Sequence, residues 1–128
     1  MKIGFLIIGR LKSTRLPKKL LLDIHGKPVI THMIQRLKLS NRIDSVILCT
    51  SLRPEDKPLE IIAKDNGIDF FFGDPDDVLL RMLNAAEKFN LDYILTITAD
   101  CPFVDPFYAD KIVDKYLETN ADLIRQFD

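Results

Sequence analysis

Short apolar runs alternate along this chain with segments of helical periodicity. This alternation is typical of βα units, in which each helix returns the chain to the same end of a parallel sheet. The pattern therefore predicts an α/β fold with a mostly parallel sheet. The predicted strands are residues 2–8, 45–49, 69–72 and 93–98, with 122–125 as a weaker fifth, and the predicted helices are a segment from Pro28 to before Ser40, residues 56–66, a segment from 76 or 77 to 89, and residues 106–118.

Length and composition favour one domain without a membrane span. A chain of 128 residues buries a sizeable core, and no apolar stretch approaches the roughly 18 residues of a spanning helix. Cys49 and Cys101 form neither a CxxC pair nor a metal pattern with His25 and His32. We therefore expect free, buried thiols in a reducing cytoplasm, and we interpret His32 as a packing or surface residue within the first helix.

A basic segment directly follows the first predicted strand. Residues 9–19, the basic loop, contain no acidic residue, whereas the whole chain has a net charge of −1. Such a concentration of positive charge attracts an anionic ligand such as a polyphosphate. A solvated lysine-rich turn is the alternative. The five basic residues are Arg10, Lys12, Arg15, Lys18 and Lys19.

Two further polar segments follow predicted strands. These are residues 73–77 after the third strand and 98–102 after the fourth. Ligands of open parallel sheets bind beyond the carboxyl ends of the strands, so the three segments are predicted to share one cleft. A nucleoside triphosphate with Mg²⁺ needs cations for its phosphates and a carboxylate for its metal. Asp100 is the predicted metal ligand, and a helix N-cap or turn role is its alternative.

Other phosphate-binding classes do not fit the spacing. The basic loop lacks the second glycine and the Gly-Lys-Ser/Thr ending of a P-loop, and no GxGxxG is present. A response-regulator receiver has a similar size and architecture. It needs acidic residues after the first strand to hold Mg²⁺, whereas this chain has Gly9, Arg10, Leu11 and Lys12 there. P-loop NTPases, Rossmann dehydrogenases and response-regulator receivers are therefore excluded.

The segment from Ile8 to Lys19, followed by Asp23-Ile24-His25-Gly26-Lys27-Pro28, closely resembles the N-terminal signature of the cytidylyltransferase superfamily, which includes CMP-KDO synthetases and acylneuraminate cytidylyltransferases. Residues 49–51, 73–81 and 98–106 look most like its spore-coat polysaccharide biosynthesis branch. The resemblance covers nearly all of the chain. It implies a three-layer, Rossmann-like (GT-A-like) nucleotidyltransferase fold whose C-terminal half is missing, with residues 1–128 forming a single nucleotide-binding α/β domain.

The resemblance also implies an activity and a set of site residues. The expected enzyme transfers CMP from CTP to a sugar or sugar acid, with release of pyrophosphate, for surface polysaccharide biosynthesis in the cytoplasm. In the implied site, Arg10 and Lys19 act as catalytic residues on the triphosphate and Asp100 binds Mg²⁺. The residues implied in nucleotide binding are Gly9, Arg10, Ser13, Arg15, Lys19, Asp77 and Arg81. For Arg81, the alternative to nucleotide binding is an ordinary i,i+4 ion pair with Asp77.

Three departures from the family pattern stand out. Lys18 occupies the usual glycine position of a Leu-Pro-Gly-Lys turn, Gly9 replaces the usual alanine, and relatives are about twice as long. A catalytically incomplete nucleotide-binding or assembly module is therefore the alternative function, one that binds nucleotide with Mg²⁺ but transfers cytidylyl groups poorly. The expected partners are CTP and a sugar or sugar acid, without nucleic acid or membrane, and a homodimer is an option for the full-length form.

Overall fold

The computed structural model describes residues 1–12, 15, 16 and 18–125. In these ranges, no helix has the length and apolar character needed to cross a membrane. Short 3₁₀ turns lie at Lys19–Leu21 and Pro54–Asp56. The strands are β1 (Ile3–Ile8), β2 (Asp23–Ile24), β3 (Lys27–Pro28), β4 (Ser45–Ser51), β5 (Asp69–Gly73) and β6 (Tyr93–Thr98), and the helices are α1 (Val29–Leu37), α2 (Pro58–Asp65), α3 (Val78–Lys88) and α4 (Pro106–Thr119).

The alternation of strands and helices is confirmed, with local corrections. The prediction of a fifth strand at residues 122–125 is wrong: these residues are irregular, and Leu123 is 67% exposed, so no sheet buries its side chain. The second helix begins at Pro58 because the preceding residues form a 3₁₀ turn. The β2–β3 hairpin was not predicted. Its turn has positive φ at His25 and Gly26, and Asp23 accepts a hydrogen bond from the Gly26 amide.

The main sheet has four parallel strands in the order β5-β4-β1-β6. The chain runs from β1 outward through β4 to β5 and then crosses to the other side of β1 to form β6. Ile8, the last residue of β1, is paired with Cys49 on one side and Thr98 on the other. All four strands stay parallel, but the order in which they are added to the sheet reverses at β1. The position between β1 and β6 is therefore a topological switch point, where loops diverge and leave a crevice at the carboxyl ends of the strands.

Helices cover both faces of this sheet, as the near-continuous apolar strands require. Helices α1, α2 and α4 pack on one face, with Met33, Leu59 and Val113 in the core. Helix α3 packs on the other face through Ala85, against Leu6 and Ile47. The molecule is therefore a three-layer α/β structure, as predicted.

Candidate active site

The loops after β1 and β6 meet closely at the switch point. A Cβ atom added to Gly9 would lie 2.5 Å from the Cβ atom of Ala99, which is closer than real Cβ atoms approach. The Gly9 amide also donates to the carbonyl oxygen of Cys49 at 3.2 Å. Glycine at position 9 therefore allows this close packing, and the structure gives Gly9 a steric role at the centre of the predicted site.

Lys19 and Asp100 form an ion pair across the switch point. The distance from Lys19 Nζ to Asp100 Oδ2 is 3.2 Å, and both side chains are nearly half exposed. The hydroxyl of Thr98 and the Lys19 ammonium lower the pKa of Asp100 below its ordinary value. The carboxylate is therefore ionised at neutral pH, which is the form that a metal ligand requires.

Arg10 extends from the basic loop toward the ends of β4 and β5. Its Nε atom donates to Asp56 Oδ2 at 3.1 Å and its Nη1 atom to the carbonyl oxygen of Pro75 at 3.1 Å. Glu55 Oε1 lies 3.8 Å from Nη2. The Arg10 side chain is consequently only 20% exposed. Together with the Lys19–Asp100 pair, these contacts bring the three polar segments predicted from the sequence into one region.

Asp56, which was not predicted as a site residue, is completely buried and contacts the basic loop. The sequence contains one signal for it. Glu55 and Asp56 lie a few residues beyond the carboxyl end of β4, at the same sheet edge as the other polar segments. The prediction of a helix beginning at Asp56 made this residue look like an ordinary helix-start aspartate.

Arg81 and Asp77 have local roles at the start of α3. Arg81 is 2% exposed, and its Nη1 atom donates to the carbonyl oxygen of Asp74 at 3.2 Å. Asp77 is the N-cap of the helix and accepts from the Leu80 amide. Within the described chain, no ion pair joins Arg81 to Asp77, so the i,i+4 alternative is not formed.

Burial raises the pKa of Cys49 to about 11, although nearby Arg81 opposes this, and the thiol stays protonated at neutral pH.

The remaining predicted loop residues are exposed or lie outside the described residues. Lys12, Arg15 and Lys18 are exposed. Lys18 has φ 54° and ψ 30°, in the left-handed region, and its amide donates to the Leu11 carbonyl oxygen. Ser13 is not among the residues that the structure describes. The basic loop thus presents three solvent-facing cations in addition to the paired Lys19.

The side chains at the switch point suit a metal ion that is already bound to the phosphates of a nucleotide. Over residues 1–12, 15, 16 and 18–125, no three His, Cys, Asp or Glu side chains form a group that could hold a metal ion. Asp100 is an ionised, half-exposed carboxylate at the carboxyl end of β6. Mg²⁺ commonly uses one or two protein carboxylates and fills its shell with phosphate oxygens and water, so this arrangement fits a nucleotide-borne Mg²⁺.

The other candidate residues do not contribute to this site. His32 Nε2 lies 2.6 Å from the carbonyl oxygen of Ile24, so the side chain links α1 to the β2–β3 hairpin. Both cysteines are free, as predicted, but only Cys49 is buried, because Cys101 is partly exposed beside Asp100.

The family model described as "Cytidylyltransferase" matches residues 5–127. The chain belongs to this cytidylyltransferase family. Its curated relatives include the spore coat polysaccharide biosynthesis protein SpsF of Bacillus subtilis, with 29% identity over 94% of this chain and 52% of that protein. The 3-deoxy-manno-octulosonate cytidylyltransferase of Vesicomyosocius okutanii is 32% identical over 94% of this chain and 49% of that protein. The resemblance seen in the sequence is therefore confirmed.

Solved structures of cytidylyltransferases have the same fold. A cytidylyltransferase from Leptospira borgpetersenii superimposes with a TM-score of 0.90 at 38% identity, over 94% of this chain and 51% of that one. A CMP:2-keto-3-deoxy-manno-octonic acid synthetase complexed with CTP gives a TM-score of 0.81 at 25% identity, over 94% and 49%. The chain spans about half the length of the relatives that it matches.

Proposed function

We propose that this member of the cytidylyltransferase family binds CTP with Mg²⁺ at the switch point between β1 and β6. The observation that carries the proposal is the Lys19–Asp100 pair, in which a cation of the basic loop lies 3.2 Å from an ionised carboxylate. One synthetase with the same fold was solved in complex with CTP, which supports cytidine triphosphate as the ligand.

The paired charges suit an exchange of partners. In the absence of nucleotide, Lys19 and Asp100 neutralise each other. When the nucleotide binds, Lys19 contacts phosphate oxygens and Asp100 contacts the metal, so each group keeps an opposite charge. Bound Mg²⁺ supplies charge neutralisation for the pyrophosphate leaving group. Lys12 and Arg15, which face solvent, raise the local concentration of the anionic ligand.

The proposed reaction is the transfer of CMP to a sugar or sugar acid for surface polysaccharide biosynthesis, in the cytoplasm. A hydroxyl oxygen of the sugar bonds to the α-phosphorus while the bond to the pyrophosphate oxygen breaks, and the hydroxyl proton passes to solvent. The named activities of the relatives support this substrate class. Asp77 and Arg81 shape the β5–α3 loop and so influence the base or sugar side of the crevice.

Calorimetric titration of the chain with CTP tests the proposal, with ATP, GTP and UTP as controls, with and without Mg²⁺. We expect selective CTP binding that weakens when Mg²⁺ is omitted or in Asp100→Asn. Lys19→Ala should lower CTP affinity by about ten- to a hundredfold, because it removes a charge-assisted contact worth roughly 1.5–3 kcal/mol. Lys115→Ala is the matched control, since Lys115 also contacts a carboxylate but on α4.

No binding of any nucleotide, or an equal loss of affinity in both lysine variants, would contradict the proposal. Pyrophosphate release with CTP and a 2-keto sugar acid separates the two functions that the sequence left open. Release by the chain supports a transferase, whereas CTP binding without release supports the nucleotide-binding module.

A further inference from the structure

Asp56 is a buried carboxylate with an unusual set of partners. Its side chain has no solvent exposure. Its Oδ1 atom accepts from the Leu11 amide at 2.7 Å, and its Oδ2 atom accepts from Arg10 Nε at 3.1 Å and from the Ser51 hydroxyl. Because an isolated buried carboxylate is strongly unfavourable, these donors are what make its position tolerable. Two of the three donors belong to consecutive residues of the basic loop.

The contacts of Asp56 determine how Arg10 is oriented. The carboxylate holds the Nε edge of the guanidinium, and the Pro75 carbonyl oxygen holds one Nη1 hydrogen. The Nη2 atom is buried, lies 3.8 Å from Glu55 Oε1, and has no hydrogen-bond partner among the residues described. Asp56 also fixes the backbone where β1 ends and the basic loop begins, through the Leu11 amide. One carboxylate therefore fixes both the backbone at the start of the loop and the orientation of its first cation.

We propose that Asp56 is a positioning residue of the triphosphate site. It does not contact the nucleotide; it holds Arg10 in one orientation so that the guanidinium binds phosphate without first losing rotamer freedom. This inference rests on the proposed function, since it assumes that a triphosphate occupies the crevice. Loss of such preorganisation should weaken binding by on the order of tenfold, the effect of one freed side chain.

Asp56→Asn tests this role because the side chain keeps its shape. The asparagine carbonyl oxygen still accepts from the Leu11 amide, but the amide nitrogen cannot accept from Arg10. Asp110→Asn is the matched control. Asp110 likewise accepts from a serine hydroxyl and from backbone amides, those of Asn41 and Arg42, but it has no contact with the basic loop.

The affinities for CTP and inorganic tripolyphosphate are measured by calorimetry for both variants, for Arg10→Ala and for the Arg10→Ala/Asp56→Asn double variant. We expect Asp56→Asn to weaken both ligands by about tenfold, and Asp110→Asn to leave both unchanged. In the Arg10→Ala background, Asp56→Asn should cause no further loss, because Asp56 acts through Arg10. A purely structural role would instead give the same loss in both backgrounds.

Arg10→Lys keeps the test decisive if Asp56→Asn does not fold. Lysine retains the charge but cannot hold Asp56 and Pro75 with a fixed fork, so we expect a loss close to that of Arg10→Ala. Unchanged CTP affinity in Arg10→Lys or in Asp56→Asn would overturn this inference alone, provided that the unmodified chain binds CTP. Absence of CTP binding by the unmodified chain would overturn the proposed function and this inference together.

Discussion

At the scale of single residues, Lys18 combines a charge with an unfavourable backbone conformation. Its φ of 54° lies in the left-handed region, which glycine adopts readily and lysine does not. The cytidylyltransferase signature that the sequence resembles has glycine at this position. The loop thus follows a glycine-like course in this chain while carrying an additional exposed cation.

Lys18→Gly should therefore raise the free energy of unfolding. A left-handed conformation costs an L-residue about 1–2 kcal/mol, and the greater freedom of glycine in the unfolded chain offsets about 0.4–1 kcal/mol of the gain. We expect a net stabilisation of about 0.5–1 kcal/mol, measured by urea unfolding. Lys18→Ala is the control, since it removes the charge but keeps the Cβ atom. Equal stability of the two variants would show that the backbone conformation is not the cause.

At the scale of secondary-structure elements, Asp110 ties α4 to the segment between α1 and β4. It accepts from the Ser40 hydroxyl and from the Asn41 and Arg42 amides, both at 3.1 Å. One turn later on α4, Asp114 forms an exposed ion pair with Arg42. Partial burial acts to raise the pKa of Asp110, but the three donors and the Arg42 charge outweigh it, so the pKa is lowered.

Asp110→Ala should destabilise the fold by about 1–3 kcal/mol, because it leaves three donors without their acceptor. Asp114→Ala should cost only about 0–1 kcal/mol, since its ion pair is exposed. Because the folded-state pKa of Asp110 is depressed, its contribution is complete above the ordinary pKa of an aspartate and is lost as pH falls through the folded value.

Thermal unfolding of both variants between neutral and strongly acidic pH measures these effects. The stability difference between Asp110→Ala and the unmodified chain should shrink only in the acidic range where aspartates titrate. A difference that stays constant down to the lowest pH would mean that the Asp110 carboxylate does not provide the tether.

At the scale of the whole molecule, the sequence predicted what depends on local pattern and general topology. The apolar runs predicted β1, β4, β5 and β6, and the rule that ligands bind at the carboxyl ends of parallel strands pointed to the basic loop and Asp100. The strand order β5-β4-β1-β6 then explains why these segments meet at the switch point.

Other features depend on tertiary contacts that no short window of sequence contains. Asp56 contacts Arg10 and Leu11 across a separation of more than forty residues, so its burial follows only from the assembled sheet. Arg81 was predicted as a nucleotide-binding residue or as an i,i+4 ion-pair partner of Asp77, and its burial against the β5–α3 loop could not be seen in the sequence. The β2–β3 hairpin has strands of only two residues each, too short to show alternation.

The proposed function requires a triphosphate and its metal to bind where β1 and β6 diverge. Titration of the ¹⁵N-labelled chain with CTP and substoichiometric Mn²⁺ locates this site, because the paramagnetic ion broadens amide signals according to their distance from it. We predict the strongest broadening at Gly9, Lys19, Ala99 and Asp100, and its loss in Asp100→Asn. Broadening centred elsewhere, such as the α1–β4 segment beside Asp110, or unchanged broadening in Asp100→Asn, would contradict the proposed site.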